Sequence, residues 1–421
     1  MHSSLRRFWI ALLLFATLLG VPADAGAVVA RPGTSGRSAP APLHTVSAAV
    51  PGRYIVTLQE NIDPASVLRA VPGISAGRTF TTALNGFSAE LNPLQLRSVR
   101  ALPGVEAVEQ DAVIRVGGST FASASASASA SGSVSAPGSA RRDFPGYPAR
   151  TWGQDRIDQR RLPLDGYFKV YGSGAYVNVY VADTGIDLNH REFFPGRAVP
   201  GFDAIGDGQG GQDCNGHGTH VAGTVAGQTY GIARLATVVS VRVLDCGGDG
   251  TTSQGLAGLD WVAREAKQPA VLNLSFGEDA SPALNRAVDR IAQLGTLPVV
   301  AAGNDARDAC GISPASAARA VTVGATDASD HQADTSNTGP CLTLQAPGVD
   351  IRSAGLGGGS VSMSGTSMAS PHVAAVAALY KEAHPGANAD EVKRWLIEQS
   401  TKNVLTVSSG SPDRLLNLGG L

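Results

Sequence analysis

A chain of 421 residues, 43% hydrophobic and only 16% charged, has material for one large buried core and a smaller second unit. Its formal net charge of -2 excludes the strongly basic balance that nucleic acid or an anionic membrane surface would select. The four cysteines are not spaced as a zinc ribbon, which argues against a structural zinc site.

In chain order, Arg6 and Arg7 precede an apolar run from Phe8 to Leu19 and a small-x-small site, Ala23-Asp24-Ala25. This reads as a signal peptide over residues 1–25. The apolar run has about a dozen residues where a membrane span needs about 20. The expectation is a secreted, soluble protein in an oxidising compartment. There Cys214, Cys246, Cys310 and Cys341 should form two disulfides, with all three pairings open. Residues 26–51 are rich in Pro, Ala, Ser and Gly and read as flexible. Residues 52–116 read as a small α+β domain, with strands at Arg53–Leu58 and Gly86–Leu91 and a helix over Asn92–Leu102. The Ser-Ala repeat from Ala122 to Ser131 lacks the bulk to pack, so residues 117–150 read as a linker.

The remainder, 151–421, alternates apolar runs with helical patterns. Strands are expected at 175–182, 238–244, 270–276, 297–302 and 320–325, and helices at 252–265, 282–294 and 367–384. Such alternation implies an α/β fold, a three-layer, doubly wound, mostly parallel sheet. In such sheets functional groups gather beyond the carboxyl ends of the strands. Asp183 follows one strand and Gly303-Asn304 another; Ser367 opens a long helix, and His217 begins a helix of small residues. Singly these are turn or cap residues. Together they supply what acyl transfer needs: a nucleophile, a base to take its proton, an acid to fix the base, and an amide for the oxyanion. No G-x-S-x-G elbow surrounds Ser367, which argues against an α/β-hydrolase.

The segments VADTGID, NGHGTHVAGT, AAGN and SGTSMASPHVA resemble the signature blocks of the subtilisin-like serine proteases. The resemblance is to the proteinase K branch, and within it to secreted bacterial enzymes of aqualysin type, over about 152–396. It implies a serine endopeptidase, with Asp183 as acid, His217 as base, Ser367 as nucleophile and Asn304 as oxyanion donor. His220, one turn beyond His217, is expected to be structural. An inactive peptide-binding relative would lack one of the four residues. An acid peptidase of sedolisin type would use a glutamate in place of His217.

The resemblance further implies that residues 52–116 are an inhibitory propeptide that assists folding and is removed by self-cleavage. The cut could fall near Val116, in the Ser-Ala run or at Arg141-Arg142. Protein substrates would bind as an extended strand between Gly248, Asp249 and Gly250 on one side and Ser275, Phe276 and Gly277 on the other. Glu278 and Asp279 depart from the family's glycines. Facing the S1 pocket, which takes the residue before the cut bond, they would alter its preference toward tolerance of basic side chains; facing solvent, they would leave a broad, apolar preference. Thr252 replaces an aromatic lid, which implies a more open S4 pocket, three residues upstream. The implied disulfides are Cys214–Cys246 and Cys310–Cys341. No cofactor is implied for catalysis, but Asp155, Asp158 and Gln159 resemble part of a structural calcium site, while Thr343 stands where a second site would need an aspartate. The expected state is a monomer without nucleic acid or membrane partners.

Overall fold

The computed structural model describes residues 39–117, the backbone of residues 120 and 121, and residues 146–421; the expected signal peptide and the Ser-Ala run lie outside them. The first part contains β1 (Ala49–Leu58), α1 (Pro64–Ala70), β2 (Ala76–Phe80), β3 (Gly86–Glu90), α2 (Pro93–Arg100) and β4 (Val105–Val116). Its strands pair antiparallel in the order β4-β1-β3-β2. One face packs on the two helices through Val56, Leu58, Phe87, Val67 and Val99. Helix α2 starts where it does because the Asn92 side chain accepts from Leu94 and Gln95 N–H while Gln95 answers to the Asn92 N–H, with Pro93 at the first helical position.

The reading of 26–51 as flexible fails for its described end. Leu43–His44 pairs in parallel with Val108 and Glu109, and β1 already begins at Ala49. Backbone pairing needs no apolar side chains, so composition concealed it.

The larger part runs β5 (Asn178–Asp183), β6 (Ala198–Asp203), α3 (His217–Ala226), β7 (Thr237–Arg242), β8 (Asp249–Thr251), α4 (Thr252–Glu265), β9 (Ala270–Leu274), β10 (Phe276–Asp279), α5 (Pro282–Gln293), β11 (Leu297–Ala301), β12 (Val321–Thr326), β13 (Leu344–Pro347), α6 (Thr366–Ala383) and α7 (Ala389–Gln399). Strands β6-β7-β5-β9-β11-β12-β13 form a parallel sheet, extended by Arg414–Leu415 and, antiparallel to it, Thr401–Lys402. Alternation along β5 sends Val179 and Val181 into a core with α3 and α6, and Tyr180 and Ala182 into a second core with α4 and α5. This is the expected three-layer fold. It leaves Asp183 at a carboxyl strand end and directs α3 and α6 at it from one face.

Strand β4 belongs to both parts. It continues past its own sheet to pair antiparallel with β8 and with β10. Residues 40–421 accordingly form one compact unit.

Candidate active site

Asp183 ends β5 and is fully buried. Its Oδ1 accepts from the Thr184 N–H at 2.7 Å and meets His217 Nδ1 at 2.8 Å. His217 is the first residue of α3, entered through Gly216 at φ 106°, a left-handed conformation that glycine adopts without strain. Asp213 locks this helix start: Oδ1 accepts the N–H groups of Asn215 and Gly216, and Oδ2 accepts the Thr219 N–H and hydroxyl. With Nδ1 donating to a carboxylate, His217 Nε2 carries the lone pair, and it is buried without a hydrogen-bond partner. Burial opposes a charged imidazole, but the Asp183 charge, its hydrogen bond and the Asp213 charge outweigh burial, so the His217 pKa is raised. His220 differs. Its Nε2 meets Ile351 O at 2.8 Å, and burial lowers its pKa to about 3, which makes it a neutral structural group.

Ser367 sits in the first turn of α6 and is buried. Its hydroxyl donates to Ser275 O at 3.1 Å, across the groove wall. Asn304 follows Gly303, at φ 99°, just beyond β11. Its Oδ1 accepts the Thr366 N–H at 2.8 Å and the Thr366 hydroxyl at 3.0 Å. Its Nδ2 is therefore turned the other way, and it is buried without a partner. His217 Nε2 is thus a free acceptor able to take a proton, and Asn304 Nδ2 a free donor that a carbonyl oxygen can accept from.

Residues 113–117 lie along this site. Ile114 opposes Gly250, Arg115 opposes Asp249 and Gly277, and Val116 opposes Phe276. The Val116 N–H donates to Gly248 O at 3.1 Å. Of the six groove residues expected from the sequence, Gly248, Asp249, Gly250, Phe276 and Gly277 thus flank this strand, and Ser275 reaches the site through its carbonyl, which accepts from Ser367. Beside Gly117 lies a cavity of about 260 Å³ whose walls include Ser275, Phe276, Ala301, Ile312 and Asn304. Glu278 borders it but turns its Oε2 to the Thr252 hydroxyl at 2.7 Å; burial raises its pKa well above the carboxylate range. Asp279 is held by Arg307 at 3.1 Å and by the Ser47 hydroxyl. Neither carboxylate is an open anion for a basic side chain, and neither faces only solvent.

The disulfides are Cys214–Cys246 and Cys310–Cys341. The first joins the loop before α3 to the loop before β8, so it ties the helix start that carries His217 to the segment beside Gly248. At the calcium candidate, the oxygens of Asp155 accept the N–H groups of Asp165 and Gly166, and Gln159 Oε1 also takes the Asp165 N–H. Asp158 Oδ2 takes the Lys169 N–H, while its Oδ1 is buried and unpartnered. Burial raises Asp155, and raises Asp158 to about 6. Among the described residues no group of three or more His, Cys, Asp or Glu is arranged to hold a metal. The oxygen chemistry suits calcium, but only one oxygen of the three side chains is uncommitted.

Sequence reading missed Asp213, Thr366 and Gly117. Asp213 and Thr366 act by hydrogen-bonding backbone and side-chain groups that become neighbours only in the fold. The Asn-Gly-His and Gly-Thr-Ser contexts beside them were the available signals.

Residues 174–416 match the subtilase family and residues 53–116 the peptidase inhibitor I9 family. The chain is 43% identical over 395 residues to an extracellular serine proteinase of Thermus sp. (strain Rt41A), covering 87% of this chain and 90% of that one. It is 40% identical to alkaline serine exoprotease A of Vibrio alginolyticus over 85% of this chain, and spans 62% of that relative. Among solved structures it is similar to a cold adapted subtilisin-like serine proteinase, with 46% identity, a TM-score of 0.63, and coverage of 65% of this chain and 99% of that one. With a matched region that takes in the whole parallel sheet and both helices entering the site, the chain belongs to the subtilase family of serine endopeptidases, and it carries an inhibitor-type pro-segment ahead of its catalytic part.

Proposed function

We propose that Asp183, His217 and Ser367 are the acid, base and nucleophile of this endopeptidase, with the Asn304 amide as oxyanion donor. The observation that carries the reading is the pair of buried, unpartnered atoms, His217 Nε2 and Asn304 Nδ2. Burying each without a partner costs about 1–3 kcal/mol, so their retention calls for partners made during the reaction, the Ser367 hydroxyl for His217 Nε2 and the substrate carbonyl oxygen for Asn304 Nδ2. Ser367 Oγ now donates to Ser275 O. Rotation of the side chain brings the hydroxyl proton to His217 as Oγ attacks the carbonyl carbon. Asn304 Nδ2 and the Ser367 N–H receive the charge on oxygen. His217 then protonates the leaving nitrogen, and water, activated by the same imidazole, releases the acid and restores Ser367.

The remaining parts of the reading follow. Residues 1–25 direct export and 52–116 act as the pro-segment, with 117–150 linking it to the catalytic part, 151–421. Secretion draws support from the Thermus relative, which is extracellular. Among the described residues no helix is long and apolar enough to cross a membrane. The enzyme would act as a monomer on proteins, with no nucleic acid or membrane partner. With Asp279 paired to Arg307 and Phe276, Ala301 and Ile312 on the cavity wall, an apolar or medium side chain is favoured at S1.

The test is the full chain with Ser367→Ala beside wild type. Wild type should cleave casein and an anilide peptide and be silenced by a sulfonyl fluoride, and the variant should do neither. A folded but inert wild type would favour a peptide-binding relative. One calcium ion at the carboxyl end of the helix Trp152–Asp158, beside Asp155, Asp158 and Gln159, rests on the unpartnered Asp158 Oδ1. Calcium should raise the wild-type Tm by several degrees and leave the Tm of Asp158→Asn unmoved. Equal Tm with calcium and with chelator would end that assignment.

A further inference from the structure

We propose that the carbonyl attacked during self-processing is that of Gly117, so that the pro-segment ends at Gly117 and the Ser-Ala-rich stretch stays on the catalytic part as an N-terminal tail. The inference rests on the preceding assignment of Ser367 and Asn304, and fixes which bond of this chain they meet. A side-chain carbon on Gly117 would lie 2.4 Å from Asn304 Nδ2 and 3.9 Å from Ser367 Oγ. Both the oxyanion donor and the nucleophile therefore face this one residue. At 2.4 Å any side chain would displace the amide, so only glycine brings the backbone this close.

The register is held from both sides. Upstream, Ile114, Arg115 and Val116 are paired to β8 and β10 as one antiparallel strand, and Ile114 is fully buried. Its side chain packs against Gly250 and Gly255, where added carbons would approach it to 3.3 Å. Arg115 points the other way and bonds Asp249 at 2.9 Å. A slip of one residue would reverse these faces, burying Arg115 and exposing Ile114. Downstream, Thr120 and Phe121 pair antiparallel with Ser364 and Met363, the former three residues before Ser367. The chain is thus strand-paired before and after the site. The cavity beside Gly117 is bordered on the pro-segment side by Ser47, Val113, Arg115 and Val116, and Gly117 itself has no side chain to place in it.

The step balances as an ordinary hydrolysis. Ser367 Oγ bonds to the Gly117 carbonyl carbon and its proton passes to His217. The bond from that carbon to the next residue's nitrogen breaks, and the nitrogen takes the proton as a free amine. Water then attacks the ester, leaving a Gly117 carboxylate and the original serine. The product carboxylate remains on a strand that still pairs with β8 and β10, which accounts for inhibition by the cleaved pro-segment.

The experiment follows the full chain at early times, quenched with phenylmethanesulfonyl fluoride, and measures the mass of the released pro-segment and the first residue of the catalytic part. The expected pro-segment ends at Gly117. Arg141→Ala/Arg142→Ala should convert at the wild-type rate, and Ile114→Asp at least tenfold more slowly. A pro-segment ending in the Ser-Ala run or at Arg141, with Ser367→Ala still whole, would overturn the register and leave the serine site standing. Cleavage of Ser367→Ala at the wild-type rate, or a folded wild type that is never cut, would overturn both.

Discussion

Asn304 is bound at its carbonyl by Thr366, through contacts of 2.8 and 3.0 Å, while its amide has no partner. Asn304→Leu should therefore lower kcat by about 10²–10³-fold with little change in KM, the range for loss of one such donor in subtilisin. Thr366→Val keeps the backbone bond and loses the hydroxyl bond; a smaller loss, about tenfold, is expected, restored by Thr366→Ser. An effect on KM alone would remove Asn304 from the oxyanion role. His217 must be neutral to accept a proton, so kcat/KM should rise as pH rises through its pKa. That limb should lie above the ordinary histidine value of 6.5, because Asp183 and Asp213 favour the cation more than burial opposes it. Asp183→Asn should move the limb to lower pH and cost about four orders in kcat. A limb unmoved in that variant would separate Asp183 from the base. The four residues proposed for the site were singled out in the sequence by their places at strand ends and helix starts, and by the resemblance of their segments to the signature blocks of subtilisin-like proteases. Asp213 and Thr366 were not, since a carboxylate or hydroxyl beside a turn has many local uses.

Among the elements, α4 was legible to the residue, over Thr252–Glu265. Thr251 and Gln254 form a reciprocal cap that writes its start into the chain. β6 was not legible, because Pro200 and Gly201 argue against a strand and pairing only with β7 tolerates them at the sheet edge. The cysteines left their pairing open on spacing alone, and the fold closes it. Cys310–Cys341 spans 31 residues and borders a small cluster of Ala309, Ile312 and Leu342, of which Ile312 reaches the cavity beside Gly117. Replacing both cysteines by alanine should destabilise the catalytic part by about 3–4 kcal/mol on the loop-entropy model, read as a lower urea midpoint. Since Ile312 lines that cavity, discrimination among apolar side chains before the cut bond should also decline. An unchanged midpoint would mean that the surrounding packing already restrains the loop.

Across the whole molecule, two parts that read as separate domains share a strand and two helix ends. Asp111 accepts the Ser253 N–H at 2.9 Å at the start of α4, and Glu109 takes the Ser281 hydroxyl at 2.6 Å and the Ala283 N–H at 3.2 Å at the start of α5. Asp260 on α4 answers by accepting the N–H groups of Thr81, Thr82 and Ala83. No sequence pattern announces such contacts, because donor and acceptor stand 142 to 179 residues apart. The interface is acidic. Burial raises Glu109 from 4.5 to about 7, against its hydrogen bonds and helped by the Asp111 charge. Glu278, from β10, is raised further by burial and by the charges of Glu109, Asp111 and Asp279. Arg53 meets this group 3.2 Å from Asp111, and Arg307 meets it 3.1 Å from Asp279. The complex therefore holds a proton on Glu109 that a separated, solvated pro-segment gives up above about 4.5. The sign is fixed by that difference: binding is strongest below 4.5, weakens as pH rises, and levels off above about 7. Glu278 adds in the same direction. The inhibition constant of the cleaved pro-segment should rise by about two orders of magnitude between pH 5 and 8, after correction for the enzyme's own pH profile. Glu109→Gln keeps an acceptor for Ser281 and Ala283 without the charge, so it should bind tightly at pH 8 with a flatter dependence. Tighter inhibition by the wild-type segment at pH 8 than at pH 5 would show that the helix starts favour the ionised form over burial. Release would then need another cause than the rise in pH.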